Sequence, residues 1–358
     1  MPSAFHRSTP RTRVARTALS LVLATLPTIS TATGHGTTAC GVPMHGFNLV
    51  QDKQAQFGSA QALTSMRRMR DTGANTVALI PFLWQPHPDS REIGRGVDMS
   101  DAQLADGIRA AHRLGLKVIV KPQVWIPGSW AGAVRMNTDA DWNAWFDGYA
   151  RALNAIAAVA AREHAEGLVV GTELDESAAR PEWRALIARI RRVFHGELSY
   201  AAHNVDGAQR VTFWPLLDSV GVTLYPVLGA DDDPAQWTRV MHETSEHLRA
   251  LARRTGKPVL IAEIGLRSAA GAAAKPWESA EERVAAPDEA LQSRVLEHWL
   301  DALDEPAVRT VLMWRWISDP DAGGEKDTDF TVQRKQAERM LSSRWRRCGA
   351  APVSETAP

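Results

Sequence analysis

The chain has 358 residues, 44% of them hydrophobic, which allows one large domain or two ordinary ones with a sizeable core. Its 41 basic and 41 acidic residues balance to a formal net charge of zero, which argues against a nucleic-acid or anionic-membrane partner, because both call for a basic face. Thirteen Trp stand against three Tyr and eight Phe, an excess that either fills a core or offers flat platforms to apolar partner faces.

The N-terminus has the form of an export signal. Arg7, Arg11, Arg13 and Arg16 lead into an apolar run from Ala18 to Leu26, followed by the small residues "STATG". That run is about half of a membrane span, so residues 1–35 are expected to be a secretory leader and the product to be periplasmic or extracellular. "TTAC" lacks the aliphatic residue that a lipoprotein signal places three positions before its Cys, which ranks lipid anchoring at Cys40 below plain export. Cys40 and Cys348 are the only cysteines, one at each end of the expected mature domain. In an exported protein they are a disulfide candidate, with two unpaired thiols as the alternative. Neither has a His or Cys neighbour at metal-ligand spacing, so no metal is assigned. Residues 348–358, "CGAAPVSETAP", are expected to form a disordered tail.

Between these ends, apolar strands alternate with amphipathic helices. In chain order the predicted strands are "HGFNLV" (45–50), "TVALIPF" (76–82), "KVIVKPQVW" (117–125) and "GLVVGTE" (167–173). They continue with "LSYAAHN" (198–204), "SVGVTLYP" (219–226), "PVLIAEIG" (258–265) and "TVLMWRW" (310–316). The first predicted helix, "SAQALTSMRRMRDTG", ends in Gly73, and the second, "SDAQLADGIRAAHRLG", has Ser100 as its N-cap and Gly115 at its close. Four more follow: "TDADWNAWFDGYARALNAIAAVAAREH", "PEWRALIARIRRVFHG", "DPAQWTRVMHETSEHLRALARRTG" and "DEALQSRVLEHWLDALDE". Strict alternation implies a parallel sheet, and eight such repeats predict an α/β fold, a closed (β/α)₈ TIM barrel forming one domain over 36–347. An open doubly wound sheet is the alternative, but no Gly-rich phosphate turn follows the first strand.

In a barrel, chemistry sits at the C-terminal ends of the strands. Those ends carry Asn48, Trp84, Lys121, Gln123, Trp125, Glu173, His203, Asn204, Tyr225, Glu263, Trp314 and Trp316. The stretch "LVVGTELDES" runs from a buried strand straight into Glu173, Asp175 and Glu176. Taken alone, these acids could be solvated or cap the next helix. The rim suggests more for one of them, because Glu173 ends the fourth strand and Glu263 the seventh, on roughly opposite sides of the mouth. Two carboxyl groups facing each other across a cleft can hydrolyse a glycosidic bond, one as acid and the other as nucleophile or base. Trp84, Trp125, Trp130, Trp214, Trp277, Trp314 and Trp316 lie on or just past strand ends, where they could stack on sugars; the other six Trp lie on helices and are read as packing. Two other motifs fail. His242 and His247 of "HETSEHL" are five apart where a zinc helix needs four, and Pro127 in "PGSWAG" occupies the first glycine of a nucleophile elbow.

The layout resembles the large clan of (β/α)₈ glycosidases with catalytic Glu after strands four and seven, and within it most resembles glycoside hydrolase family 113, an endo-β-1,4-mannanase family. The matching pieces include "GLKVIVKPQVWIPGSWAG", "VVGTELDE", "FWPLLDSVGVTLYPVL", "KPVLIAEIGLRSAAGAAAKPW" and "MWRWISDPDAGGEKDTDFTVQRKQAERML", covering most of 45–345. The resemblance implies a retaining mechanism with Glu173 as acid/base and Glu263 as nucleophile. It also implies that Tyr225 supports the nucleophile, that Trp314 is the floor under the sugar, and that Lys121, Gln123, Trp125 and Asn204 contact the substrate. The chain departs from the family pattern at Gln123, where His is usual, at His203, where a small residue is usual, and in "YPVL" after Tyr225. These departures lie in the sugar-contacting layer. Competing readings are the same mechanism on another β-glycan or a bacterial exopolysaccharide, and a barrel that binds glycans without cleaving them. No cofactor is implied, and a monomer acting on a polysaccharide or oligosaccharide is expected. For Glu263 the bland alternative is a structural ion pair, with Arg267 as partner.

Overall fold

The computed structural model describes residues 42–349. The expected leader, Cys40 and residues 350–358 lie outside that range, as does the side chain of Cys348, so the disulfide expectation falls outside the described residues.

Eight parallel strands close into a barrel. They are β1 (Met44–Val50), β2 (Thr76–Leu79), β3 (Lys117–Val120), β4 (Gly167–Thr172), β5 (Glu197–His203), β6 (Val220–Leu224), β7 (Val259–Ile264) and β8 (Val308–Ile317). β1 pairs with both β2 and β8, which seals the ring. A helix follows each strand: α1 (Ala60–Asp71), α2 (Asp101–Arg113), α3 (Asp139–Arg162), α4 (Glu182–Arg191), α5 (Asn204–Arg210), α6 (Pro234–Thr255), α7 (Glu289–Ala302) and α8 (Gln336–Gly349). The fold is the (β/α)₈ barrel that the alternation predicts.

Local chemistry explains most helix ends. Ser100 and Gln103 form a reciprocal capping box at the start of α2, and Thr138 and Asp233 cap α3 and α6 through their side chains. α6 ends on Gly256 at φ 67°, a left-handed turn that glycine makes without a Cβ clash. Two helices lie outside the six quoted stretches. α5 is a single short segment that begins at Asn204, which the apolar pattern assigns to the preceding strand, and α8 follows the loop after β8.

The core has two layers, set by strand alternation. Ala78, Ile80, Ile119, Val169, Ala201, Leu260, Ala262 and Leu312 form the plug inside the barrel. Their neighbours in sequence, among them Val77, Val118, Leu168, Val170, Ile261 and Met313, face outward onto the helices. Trp142, Trp145, Trp183, Trp237, Trp299 and Trp345 all lie on helices and are buried. Each side chain of this kind contributes about 1.5–3 kcal/mol when removed from water.

Two predicted strands are broken. "TVALIPF" and "KVIVKPQVW" each stop at a residue preceding or at proline, then resume as Phe82–Trp84 and Gln123–Trp125. The proline cannot donate to a ladder, so the barrel strand ends there. The resumed pieces pair with each other in parallel, and Phe82–Trp84 also pairs antiparallel with Gly94–Arg95, forming a three-stranded sheet on the rim.

Candidate active site

The inward parity of the barrel carries upward to the mouth. Ile119 lies in the interior plug and Lys121 two residues beyond it; Ala201 leads in the same way to His203, and Leu312 to Trp314. β5 and β6 are in register with His203 opposite Thr223, so these two side chains stand next to each other at the rim.

The two glutamates do not follow from simple alternation. Along β7 the pairing with β6 slips between Ile261 and Glu263, so one extra residue sits on β7. Such a bulge re-aims the next side chain. Ala262 lies in the interior plug and Ile264 in the outer layer, and Glu263 between them reaches Lys121 and Tyr225 inside the mouth. Along β4 the pairing with β5 slips between Val169 and Thr172. A Cβ on Gly171 would lie 2.7 Å from the Trp183 ring and 2.9 Å from the Tyr200 ring, so only glycine fits there. Glu173 follows at φ 54°, a left-handed conformation uncommon outside glycine, with its N–H donating to Ala201 O at 2.8 Å. Local strain of this kind clusters at working sites.

Glu263 is 4% exposed, and every contact its carboxylate makes is with a donor. The Lys121 ammonium and the Gln123 amide both donate to Oε1, and the Tyr225 hydroxyl donates to Oε2 at 2.9 Å. Burial pushes the Glu263 carboxyl above its ordinary range, and Lys121 and Tyr225 act against that rise. Lys121 is itself fully buried, which lowers its ammonium despite the adjacent carboxylate. It also lies 5.2 Å from the centroid of the Trp314 ring, a cation–π contact that ties the indole to the same cluster. The peptide bond between Trp314 and Arg315 is cis.

Glu173 is more open, with 21% of its side chain exposed. His203 Nδ1 stands 3.1 Å from its Oε1, and the Thr223 hydroxyl donates to the same oxygen at 2.6 Å. Burial raises this carboxyl, but the His203 and Thr223 hydrogen bonds and the Lys121 charge outweigh it, leaving Glu173 below the ordinary carboxylate range. The Lys121 charge is felt by both carboxylates, and each carboxylate raises the Tyr225 phenol further above the shift that burial imposes.

The predicted site residues thus converge, but several have protein partners where the resemblance implied sugar contacts. Lys121 and Gln123 hold Glu263, because a buried ammonium and a buried carboxylate each need a counterpart. Asn204 accepts from Tyr225 N–H at 2.9 Å and donates toward His203 Nε2. Arg267, the structural partner considered for Glu263, instead donates to Thr328 O and Arg283 O. Asp175 pairs with Arg210, as a bystander at the rim would. Thr223 was not among the sequence candidates; its position two residues before Tyr225, on the same face of β6, is the signal that could have found it.

The tryptophans divide. Trp84, Trp125, Trp130 and Trp277 are each more than 40% exposed, whereas Trp214 and Trp316 are core. Gln123 and Trp125 lie on the same face of the rim sheet, and Trp84 pairs in register with Trp125, ring centroids 6.3 Å apart. Since Gln123 reaches Glu263, this face opens on the barrel mouth. Asp327 and Asp329 tie the loop before α8, to Lys335 and Arg315 respectively. Among the described residues no helix is long and apolar enough to cross a membrane.

A barrel mouth with two carboxyls from β4 and β7, framed by donors and exposed indoles, is the architecture of a (β/α)₈ carbohydrate-cleaving enzyme. Comparison with known proteins makes this specific. The sequence profile of glycoside hydrolase family 113 matches residues 46–335, and the chain belongs to that family as a glycoside hydrolase. Among solved structures it is similar to the family 113 β-mannanase AaManA of Alicyclobacillus acidocaldarius, in complex with ManMIm. Identity is 27%, TM-score 0.75, with 86% of this chain and 98% of that chain covered. A family 113 β-1,4-mannanase complex gives 26% identity and TM-score 0.75 over 86% of this chain and 99% of that one. A β-glucuronidase of Ruminococcus gnavus shares the fold at 13% identity and TM-score 0.57, over 85% of this chain and 50% of that one. No match was found among curated proteins.

Proposed function

We propose that this protein is a retaining endo-β-1,4-mannanase, with Glu263 as nucleophile and Glu173 as acid/base. The observation that carries the assignment is the ring of donors on Glu263: an ammonium, an amide and a phenol, all satisfied by the anion. Its burial leaves that anion poorly hydrated, as an attacking carboxylate should be. Glu173 keeps an exposed side toward the cleft, where a leaving oxygen or a water can reach it. In the first step Glu263 attacks the anomeric carbon while Glu173 gives its proton to the departing glycosidic oxygen. In the second, Glu173 takes a proton from water as that water displaces Glu263. Glu173 is the more easily ionised group without substrate; a sugar seated over it removes water and raises it toward the acid role. Mannan as substrate is supported by the β-mannanase neighbours, and endo action by the indoles at the rim, which suit a polymer lying along the mouth.

The test is chemical rescue. Glu263→Ala with azide and an activated aryl β-mannoside should yield an α-mannosyl azide, the inverted product. Glu173→Ala should lose far more activity on substrates with poor leaving groups than on activated aryl glycosides. Unchanged turnover by Glu263→Ala would remove the nucleophile assignment. Digestion of β-mannan with sizing of the products tests substrate and mode together, a ladder of oligosaccharides being the expected result.

A further inference from the structure

Glu173 is held by a chain of hydrogen bonds that runs back through two side chains to the backbone of β6's end. Asn204, at φ 51°, accepts from Tyr225 N–H through its amide oxygen at 2.9 Å. That bond orients the amide, so the group facing His203 Nε2 at 3.1 Å is Nδ2, which can only donate. Nε2 is therefore the lone-pair nitrogen of the neutral ring, and the ring proton lies on Nδ1. Nδ1 is 3.1 Å from Glu173 Oε1, which also accepts from Thr223. Among the described residues no hydrogen bond reaches Glu173 Oε2. Trp130 packs against the imidazole, ring centroids 5.0 Å apart and edge-on.

We infer that His203 is a positioning residue for Glu173: its Nδ1–H occupies Oε1 and leaves Oε2 as the oxygen that exchanges the catalytic proton. This rests on the acid/base reading of Glu173 proposed above. In the first step the proton leaves Oε2 for the departing glycosidic oxygen, and the two donors on Oε1 stabilise the carboxylate that forms. In the second step Oε2 takes the proton of the attacking water as the bond from sugar to Glu263 breaks. His203 keeps its Nδ1 proton throughout. The imidazole resists charging through burial, but the Glu173 carboxylate more than compensates, so its titration is raised. When it does charge, Nδ1 still donates to Oε1, so the contact persists in both states. The other charged groups facing this pair are Lys121 from β3, Glu263 from β7 and Asp175, the last paired with Arg210 of α5.

The test is a direct titration of Glu173 in the full-length protein carrying ¹³C-labelled glutamate carboxyls, its signal identified by its loss in Glu173→Gln. In His203→Ala the midpoint of that signal should move up by about one pH unit, the effect of one lost donor to a carboxylate. His203→Asn, whose amide nitrogen can take the place of Nδ1, should bring the midpoint back toward the parent value. His203→Gln, whose amide reaches the Nε2 position instead, should resemble His203→Ala, and it serves if the alanine variant does not fold. An unmoved or lowered midpoint in His203→Ala and His203→Gln, or a His203→Asn variant no different from them, would overturn the inference. Failure of the acid/base reading shows elsewhere, in a Glu173→Ala variant that does not discriminate between leaving groups.

Discussion

Lys121 shows how a single residue couples stability of charge to chemistry. Its ammonium is fully buried, contacts Glu263 and lies over the Trp314 ring. Its charge lowers a carboxyl that burial raises. Replacing it by Met removes that opposing effect, so Glu263 should rise further. In the nucleophile role proposed for Glu263, attack needs the anion, so activity should be lost as pH falls through its titration. In Lys121→Met the acid limb of kcat/KM should therefore move to higher pH, and the maximum should fall about a hundredfold or more, as when one preorganised donor is deleted. A pH–rate profile on an aryl mannoside reads both. Lys121 was visible in the sequence as a rim residue, since it follows an apolar strand. Its pairing with Glu263 was not, because the two residues stand 142 apart in the chain and nothing local links them.

At the scale of the element, the carboxylates are aimed by irregular strands. Alternation accounts for Lys121, His203, Thr223, Tyr225 and Trp314, whereas Glu263 depends on a bulge in β7 and Glu173 on a slipped pairing and a left-handed backbone at the end of β4. Gly171 belongs to this device. A methyl group there would meet Trp183 and Tyr200, both fully buried and packed, mostly edge-on, among Phe146, Tyr149 and Phe213. Gly171→Ala should cost about 1–3 kcal/mol of stability by overpacking, measurable by denaturant unfolding. Because the strain lies two residues from Glu173, kcat should fall as well, with KM changing less. The apolar stretch "GLVVGTE" announced a strand with an acid at its end. It carried no sign of the slip, because a bulge is defined by the partner strand and not by the strand's own sequence.

For the whole molecule, the barrel supplies a rigid mouth and the rim sheet extends it. Gln123 and Trp125 stand two residues apart on one strand, about 6–7 Å at the usual rise. If the chain acts as proposed, that spacing would let the Trp84–Trp125 pair stack on a sugar next to the one being cleaved. Trp125→Ala should raise KM for long manno-oligosaccharides about tenfold or more, with a smaller effect on a short aryl mannoside; kinetics on an oligosaccharide series tests this.

Alternation of strand and helix, and the position of each Glu after an apolar run, were legible in the sequence alone. Both signals are local: a period of two or of about 3.6 residues is set by the backbone, and one stretch suffices to show it. The tertiary structure decided which donors meet which carboxylate. It gave Lys121, Gln123 and Tyr225 to Glu263, and His203 and Thr223 to Glu173. It also decided that Trp214 and Trp316 are core while Trp84, Trp125, Trp130 and Trp277 remain exposed. The physical reason is register: closure of eight strands fixes the height and rotation of each rim residue relative to all the others, and no single strand contains that information.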